Sequence, residues 1–209
     1  TCLGGDGVIL HASTLFKKTV PPILSFSLGS LGFLTTHSFE HYREELRAVI
    51  NGDTAMNGSY ITLRMRLRCA ICRNGEPIPG MTTDVLNEVV VNRGTSPFLS
   101  NIECFERGRL ITKVQADGLM ISTPTGSTAY SVSAGGSMVH PNVPGLLFTP
   151  ICPHSLSFRP VILPDSVSTI DYPNSNRIAL SRSRPTRVPT RLPVQAELEL
   201  RIPDDARSG

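Results

Sequence analysis

The chain has 209 residues, of which 40% are hydrophobic, and carries 20 Lys and Arg against 17 Asp and Glu, for a net charge of +3. A chain of this length and hydrophobicity can bury a core as one domain or two small ones, which excludes a fibre or a polyelectrolyte. No run of 18 apolar residues and no signal-peptide pattern occurs, so we expect a soluble protein with no membrane partner.

The cysteine count points to a reducing compartment. Five cysteines are an odd and sparse set for a chain of this length, which argues against a disulfide framework. We therefore expect a cytoplasmic protein, with a plastid or mitochondrial location left open because a transit peptide could precede Thr1.

The first 55 residues predict part of a doubly wound α/β domain. A strand end at Cys2-Leu3 is followed by a helix over 7–18, a buried strand in "PPILSFSL" and an amphipathic helix in "FEHYREELRAVIN". Strand, glycine turn, helix and strand form one such unit, and at least one neighbouring element is missing from it.

The sequence Gly4-Gly5-Asp6-Gly7 lies between the first strand and helix. Glycines there let a backbone approach phosphates closely, and the unpaired N–H groups of a helix start favour anions. An acid in this loop would repel phosphate unless it has another task. Asp6 could therefore serve chemistry or simply cap the helix.

Residues 56–209 predict a second, β-rich and sandwich-like domain. Alternating runs with turn signals occur in "YITLRMRLRCAI", "NEVVVNRG" and "FLSNIECFERGRLITKVQADGLMIST". Cys69 and Cys72 form a CxxC pair, but without a second ligand pair for zinc or a helix start for redox chemistry we interpret them as strand residues of a hairpin.

Residues 167–195 differ in composition from the rest of this domain. They hold five arginines and four prolines against the single acid Asp171, while the rest of the chain holds 15 basic and 16 acidic residues. We expect this insert to be disordered, either as an exposed loop or as sequence from outside the normal coding frame. An arginine-rich binding module remains an alternative, although we expect no nucleic-acid partner.

Several motifs in a fixed order resemble the eukaryotic-type ATP-dependent NAD kinases. They are GGDG, "LGSLGFL", "LNEVVV", "ADGLMISTPTGSTAYSVSAGGSMVHP" and "PHSLSFRPVILPDS". The resemblance implies phosphorylation of NAD at the 2′-hydroxyl of its adenosine ribose to give NADP, with ATP as donor and a divalent metal ion, Mg²⁺, as cofactor. It places the site between the two domains. GGDG alone also occurs in lipid kinases, which are the enzyme alternative.

The resemblance also implies roles for individual residues. Asp6 would orient the ribose hydroxyl and receive its proton. The NAD site would comprise Asp6, Gly7, Phe33, Asn87, Glu88, Asp117, Thr128, Ala129, Tyr130 and Ser133. The ATP phosphates would lie on Gly4, Gly5 and Gly7, and no residue is assigned to the metal. An aromatic residue after a glycine turn commonly fills a core, which is the structural alternative for Phe33.

The chain departs from the family pattern in three places. The family has further elements before GGDG and after "AELELRIPDDARS", and it joins "ILPDS" almost directly to "AELEL", where this chain carries 167–195. We therefore expect a family member truncated at both ends with an unusual insert. Homo-oligomerisation is expected of the full-length protein, and an inactive fragment is the alternative for this chain.

Overall fold

The computed structural model describes residues 1–16, 20–51, 61–74, 76–106, 109–155, 158–165, 170–171, 176–183 and 197–201. The chain divides into two compact units, one formed by Thr1–Leu63 and one that begins at Arg64. The domain boundary predicted at residue 55 lies outside the described residues. No helix of the described part is long and apolar enough to cross a membrane.

The first unit is a parallel α/β arrangement, as predicted. Its elements are β1 (Cys2–Leu3), α1 (Asp6–Leu15), β2 (Ser25–Ser27), β3 (His37–Ser38), a 3-10 turn (Phe39–His41) and α2 (Tyr42–Asn51). The strands pair in parallel in the order β1-β2-β3. Helix α1 connects β1 to β2, because parallel neighbours need a crossover connection.

The core of the first unit centres on Phe26 in β2. This side chain is fully buried, and its ring meets His37 and Phe39 edge-on at centroid distances of 6.1 and 6.5 Å. Helix α1 turns Ile9 and Ser13, four residues apart, to its buried side. The carboxyl end of β1 and the start of α1 are thereby fixed next to each other.

The second unit is built from strands, which confirms the predicted class of an α/β domain followed by a β-rich one. They are β4 (Arg66–Arg73), β5 (Glu76–Val85), β6 (Glu88–Asn92), β7 (Ser100–Glu106), β8 (Arg109–Ser122), β9 (Gly145–Pro153), β10 (Val161–Pro164), β11 (Ile170–Asp171), β12 (Asn176–Ser183) and β13 (Glu197–Arg201). Among the described residues they form one sheet in the order β10-β9-β8-β7-β11-β13-β12-β4-β5, with β6 also paired to β8.

One apolar cluster fills this unit and draws on strands far apart in that order. Its largest fully buried members include Leu67 of β4, Ile102 of β7, Leu119 of β8, Leu146 of β9 and Leu180 of β12. In β7, buried residues alternate with half-buried ones, the period of two expected of a half-buried strand, whereas Leu119 and Leu146 lie in continuous buried runs of β8 and β9. Strand β8 pairs with β7 on one side and β9 on the other, and the glycine-rich segment follows its carboxyl end.

The CxxC pair belongs to a strand, as we interpreted it. Cys69 and Cys72 both lie in β4 and are buried, and the pairing of this strand with β5 shifts register between Ala70 and Cys72. Burial, with a smaller effect of Cys72, raises the pKa of the Cys69 thiol to about 11. A thiol with so high a pKa is a poor nucleophile, so Cys69 is not suited to redox chemistry. All five cysteines of the chain are free thiols.

Part of the insert differs from our expectation of disorder. Residues 170–171 and 176–183 form β11 and β12, and all eight residues of β12 pair with β4. Leu180 is fully buried in the core cluster and Ile178 packs against that cluster, so two alternating apolar residues attach this strand to the core. The prediction is wrong for these residues, and the remainder of the insert lies outside the described residues.

The position of Leu180 can be tested by core truncation. We expect Leu180→Ala to lower the free energy of unfolding of the whole protein by about 2–5 kcal/mol, as for other buried leucines. Ser181→Ala, one residue along on the other face of β12, is the control and should change it by less than about 0.5 kcal/mol. Chemical denaturation measures both, and equal effects would show that β12 is not a core strand.

Candidate functional site

Asp6 is the first residue of α1, but its carboxylate does not cap that helix. Gly5 occupies the N-cap position, and no side chain bonds the first turn. The Asp6 carboxylate instead faces the loop that follows β2, 27 to 29 residues further along the chain. The helix-cap interpretation of Asp6 is therefore wrong.

Four donors hold the two carboxylate oxygens of Asp6. Oδ2 accepts the backbone N–H of Phe33 at 2.9 Å. Oδ1 accepts the N–H of Leu34 at 3.0 Å, the N–H of Thr35 at 3.1 Å and the Thr35 hydroxyl at 3.0 Å. Three successive amides and one hydroxyl thus converge on a single carboxylate.

These contacts favour the ionised form of Asp6. Partial burial acts to raise the pKa of the carboxyl, but the hydrogen bonds from 33–35 outweigh it, so the pKa lies below its ordinary value. The start of α1 adds a positive dipole end beside the same group. The side chain remains half-buried rather than enclosed, so an ionised carboxylate of fixed position is accessible at this helix start.

The close approach of Asp6 to this loop requires glycine at position 32. A Cβ placed on Gly32 would lie 2.7 Å from both the Asp6 carboxyl carbon and the Thr35 hydroxyl, and closer still to Oδ1. The N–H of Gly32 also donates to the carbonyl of Thr35 at 3.1 Å, which closes the turn. "LGFL" is therefore the partner of GGDG in this unit.

Phe33, Gly5 and Gly7 are open to their surroundings, whereas a Cβ on Gly4 would lie 2.7 Å from the Val8 side chain. The Phe33 side chain is 66% exposed, so it does not fill a core as its structural alternative supposed. Gly4 has a φ of +136°, which favours glycine, and a Cβ on Gly5 or Gly7 would meet no atom within 4 Å. The backbone around Asp6 therefore leaves room for a bound group.

In the second unit, the Asn-Glu pair lies against the glycine-rich segment. The Asn87 carbonyl accepts the N–H of Thr123 at 2.8 Å. The Thr123 hydroxyl donates to the carbonyl of Leu86 at 2.5 Å and accepts the N–H of Gly126 at 3.1 Å. A Cβ on Gly126 would lie 2.5 Å from the Asn87 carbonyl carbon, so these two motifs meet only because residue 126 is glycine.

Glu88 begins β6 beside this contact and carries an unpaired oxygen. Its Oε2 is buried and has no hydrogen-bond partner among the described residues. Burial raises the pKa of this carboxyl above its usual range. A buried acceptor without a donor costs free energy, so a ligand hydroxyl or amide at this point would relieve that cost.

The rest of the glycine-rich segment forms a 3-10 turn (Thr125–Thr128) and the short helix α3 (Tyr130–Ser133). Thr128 and Ala129 are half-buried, whereas the side chains of Tyr130 and Ser133 are exposed. Thr128 ends the turn in which Gly126 packs on Asn87, and Ala129, Tyr130 and Ser133 follow it along the chain.

Asp117 lies at the other end of the β6–β8 pairing. Glu88 pairs with Ser122, and Asp117 precedes Ser122 by five residues, about 17 Å along an extended strand. Its Oδ1 accepts from Arg93 Nε at 2.7 Å, and its carbonyl accepts the Arg93 N–H at 3.0 Å. Asp117 therefore stands apart from the Asn87 and Glu88 group and is held by an arginine.

Sequence reasoning missed Thr35 and Arg93. Thr35 is 1% exposed, and both its N–H and its hydroxyl serve Asp6. A threonine next to "LGFL" and an arginine after a strand carry no signal of their own, since both partners are distant in sequence. Their roles are recognised only from the folded structure, which brings Thr35 to Asp6 and Arg93 to Asp117.

No group of three or more His, Cys, Asp or Glu side chains that could hold a metal ion occurs in the described ranges. Carboxylates do occur singly at the candidate positions, as Asp6, Glu88 and Asp117. A divalent ion bound here would therefore need ligands from its own substrate as well as from the protein.

Both units match described protein families. Residues 2–54 match the ATP-NAD kinase N-terminal domain, and residues 86–190 match the ATP-NAD kinase C-terminal domain. The second match includes most of the segment that we expected to be an insert.

Similar proteins that are named NAD kinases agree with these two family matches. The chain is 62% identical over 208 residues to "NAD kinase 2, chloroplastic" of Arabidopsis thaliana, covering 100% of this chain and 18% of that protein. It is 51% identical over 179 residues to "NAD(+) kinase" of Saccharomyces cerevisiae, covering 79% of this chain and 33% of that protein. The chain thus spans a third or less of the length of these relatives.

Two solved structures share the fold. Yeast NADH kinase complexed with NADH superposes with a TM-score of 0.71 at 37% identity, covering 96% of this chain and 56% of that one. An NAD kinase from Archaeoglobus fulgidus in complex with ATP gives a TM-score of 0.65 at 22% identity, covering 97% and 73% of the two chains. The second likeness concerns the fold alone.

The packing around Asp6 predicts that Gly32 does not tolerate a side chain. Gly32→Ala should lower the free energy of unfolding of the whole protein by about 1–3 kcal/mol, since the added methyl group must displace the carboxylate or the turn. Gly29→Ala in the same loop is the control, because a Cβ there meets nothing within 4 Å. Chemical denaturation compares them, and two equally stable variants would disprove the close approach.

Proposed function

The chain belongs to the ATP-NAD kinase family, and from this premise we propose that the whole protein transfers the γ-phosphoryl group of ATP to the 2′-hydroxyl of the adenosine ribose of NAD, giving NADP. The observation that carries the proposal is the ionised and accessible Asp6 carboxylate at the start of α1, held by 33–35. The assay that tests it offers ATP and NAD to the whole protein and measures NADP.

Asp6 is the proton acceptor in this proposal. The hydroxyl proton passes to the carboxylate, a bond forms between the ribose oxygen and the γ-phosphorus, the bond from that phosphorus to the β–γ bridging oxygen breaks, and ADP leaves. A carboxylate with a lowered pKa is a weak base, but a loose phosphoryl-transfer transition state needs the proton removed only late. Orientation of the hydroxyl is therefore its larger contribution.

The dinucleotide is proposed to bind through the residues that the family resemblance assigns. Asn87 and Glu88 hold ribose hydroxyls, which is supported by the buried and unpaired Oε2 of Glu88. Phe33 packs on the adenine, which its exposure permits. Asp117, Thr128, Ala129, Tyr130 and Ser133 complete the set, and the small side chain of Ala129 suits contact with a ring.

ATP is proposed to bind with its phosphates on the backbone of Gly4, Gly5 and Gly7. The open space around Gly5 and Gly7 and the N–H groups at the start of α1 support this assignment. The divalent ion is proposed to arrive as Mg²⁺ bound to the nucleotide, because Mg²⁺ is commonly held by substrate phosphates and water with only one or two carboxylates. Bound there, the ion would supply positive charge to offset the negative charge on the transferring phosphoryl group.

Loss of the proton acceptor should lower turnover. We expect Asp6→Asn in the whole protein to reduce kcat by about a hundredfold or more, the range for removal of a positioned proton acceptor. The KM for NAD should change little, because the amide side chain retains one carbonyl oxygen for the 34–35 amides. Steady-state NADP formation measures both. The control is Glu40→Gln, which also replaces a carboxylate by an amide but at an exposed position. Normal turnover would remove Asp6 from the mechanism.

Binding of NAD should depend on the ionisation of Glu88. Burial raises its pKa, so the free protein keeps a proton on Glu88 to higher pH than usual, whereas a ribose hydroxyl donates best to the ionised form. We therefore expect NAD affinity to increase as pH rises through this pKa, and Glu88→Gln to weaken binding about tenfold and remove the increase. Calorimetric titration across the acid range tests this, with the exposed Glu76→Gln as control. An unchanged pH dependence in Glu88→Gln would contradict it.

A further inference from the structure

We propose that the two oxygens of Asp6 have separate tasks, Oδ1 as the anchor and Oδ2 as the atom that receives the ribose proton, and that Thr35 is the positioning residue that separates them. The inference rests on the proposed function and deepens it. It is carried by the unequal distribution of hydrogen-bond donors over the carboxylate.

Oδ1 is fully engaged by the protein. It accepts from the N–H groups of Leu34 and Thr35 and from the Thr35 hydroxyl, at 3.0, 3.1 and 3.0 Å. A carboxylate oxygen offers about two lone-pair sites. Three donors leave it no capacity for a substrate hydroxyl, so Oδ1 can fix the carboxylate but cannot serve the reaction.

Oδ2 keeps acceptor capacity. Among the described residues its hydrogen bond is with the N–H of Phe33 at 2.9 Å. One lone-pair site therefore remains for a hydroxyl donor, and the half-buried side chain leaves the group accessible. The same amide fixes where Oδ2 points, because it belongs to the residue next to the two that hold Oδ1.

Thr35 decides this distribution. It is 1% exposed and supplies two of the three donors to Oδ1, one from its backbone and one from its side chain. Without the hydroxyl, Oδ1 would have two donors against one on Oδ2, and rotation of the carboxylate would cost less. Thr35 thus acts on the reaction through Asp6 and not by touching a substrate.

The test compares three variants of the whole protein. Thr35→Val keeps the shape of the side chain and removes the hydroxyl, and we expect kcat to fall about tenfold, the loss of one hydrogen bond to a charged group. The KM for NAD and for ATP should stay within about twofold, since ground-state binding is not altered. Thr35→Ser, which restores the hydroxyl, should recover most of the kcat. Thr14→Val on the exposed side of α1 is the matched control.

Two results would overturn the proposal. One is an unchanged kcat in Thr35→Val, and the other is a Thr35→Ser variant as slow as Thr35→Val, which would assign the effect to packing. If Thr35→Val does not fold, hydrogen exchange decides, because the amides of Leu34 and Thr35 should exchange at least about tenfold faster in Asp6→Ala than in the wild type. Equal exchange rates would refute the anchor. If the unaltered protein makes no NADP, the proposed function is wrong. The hydrogen-exchange measurement does not depend on activity, so it still tests whether the amides of Leu34 and Thr35 hold Asp6.

Discussion

The hydrogen bonds between Asp6 and the loop at 33–35 are the interaction on which the first unit is organised. They connect the start of α1 to the loop between β2 and β3, and they do so only because Gly32 lets the carboxylate approach. An ionised group held by backbone amides needs no rearrangement when a charge or a proton arrives, which is the property that a proton acceptor for phosphoryl transfer requires. Phe33 donates its N–H to Asp6, while its side chain is exposed.

The second unit uses a comparable device. Thr123 bridges the carbonyl of Leu86 and the N–H of Gly126, and Gly126 packs directly on Asn87. The Asn-Glu pair and the glycine-rich segment, nearly 40 residues apart along the chain, are therefore joined by hydrogen bonds and close packing. Beside this contact, Glu88 keeps a buried oxygen without a hydrogen-bond partner among the described residues, a feature that native structures seldom retain without a function.

Sequence patterns predicted which segments carry the candidate site but not which atoms meet. The glycine turn before α1 and the strand at Asn87 follow from local rules of turns and alternation. The partner of Asp6 could not be predicted, because it depends on a contact across 27 to 29 residues. Strand β12 was missed for a different reason: the alternation of Ile178 and Leu180 is short, and the surrounding arginines and prolines dominate the composition.

The central claim is that Asp6 presents one fixed oxygen to a sugar hydroxyl. A crystal structure of the whole protein with NAD and a non-hydrolysable ATP analogue tests it most directly. The account predicts that Asp6 Oδ2 lies within hydrogen-bond distance of the 2′-hydroxyl, about 2.6–3.2 Å, while Oδ1 keeps its contacts with Leu34 and Thr35. A ribose hydroxyl placed on Oδ1, or beyond the reach of either oxygen, would contradict it.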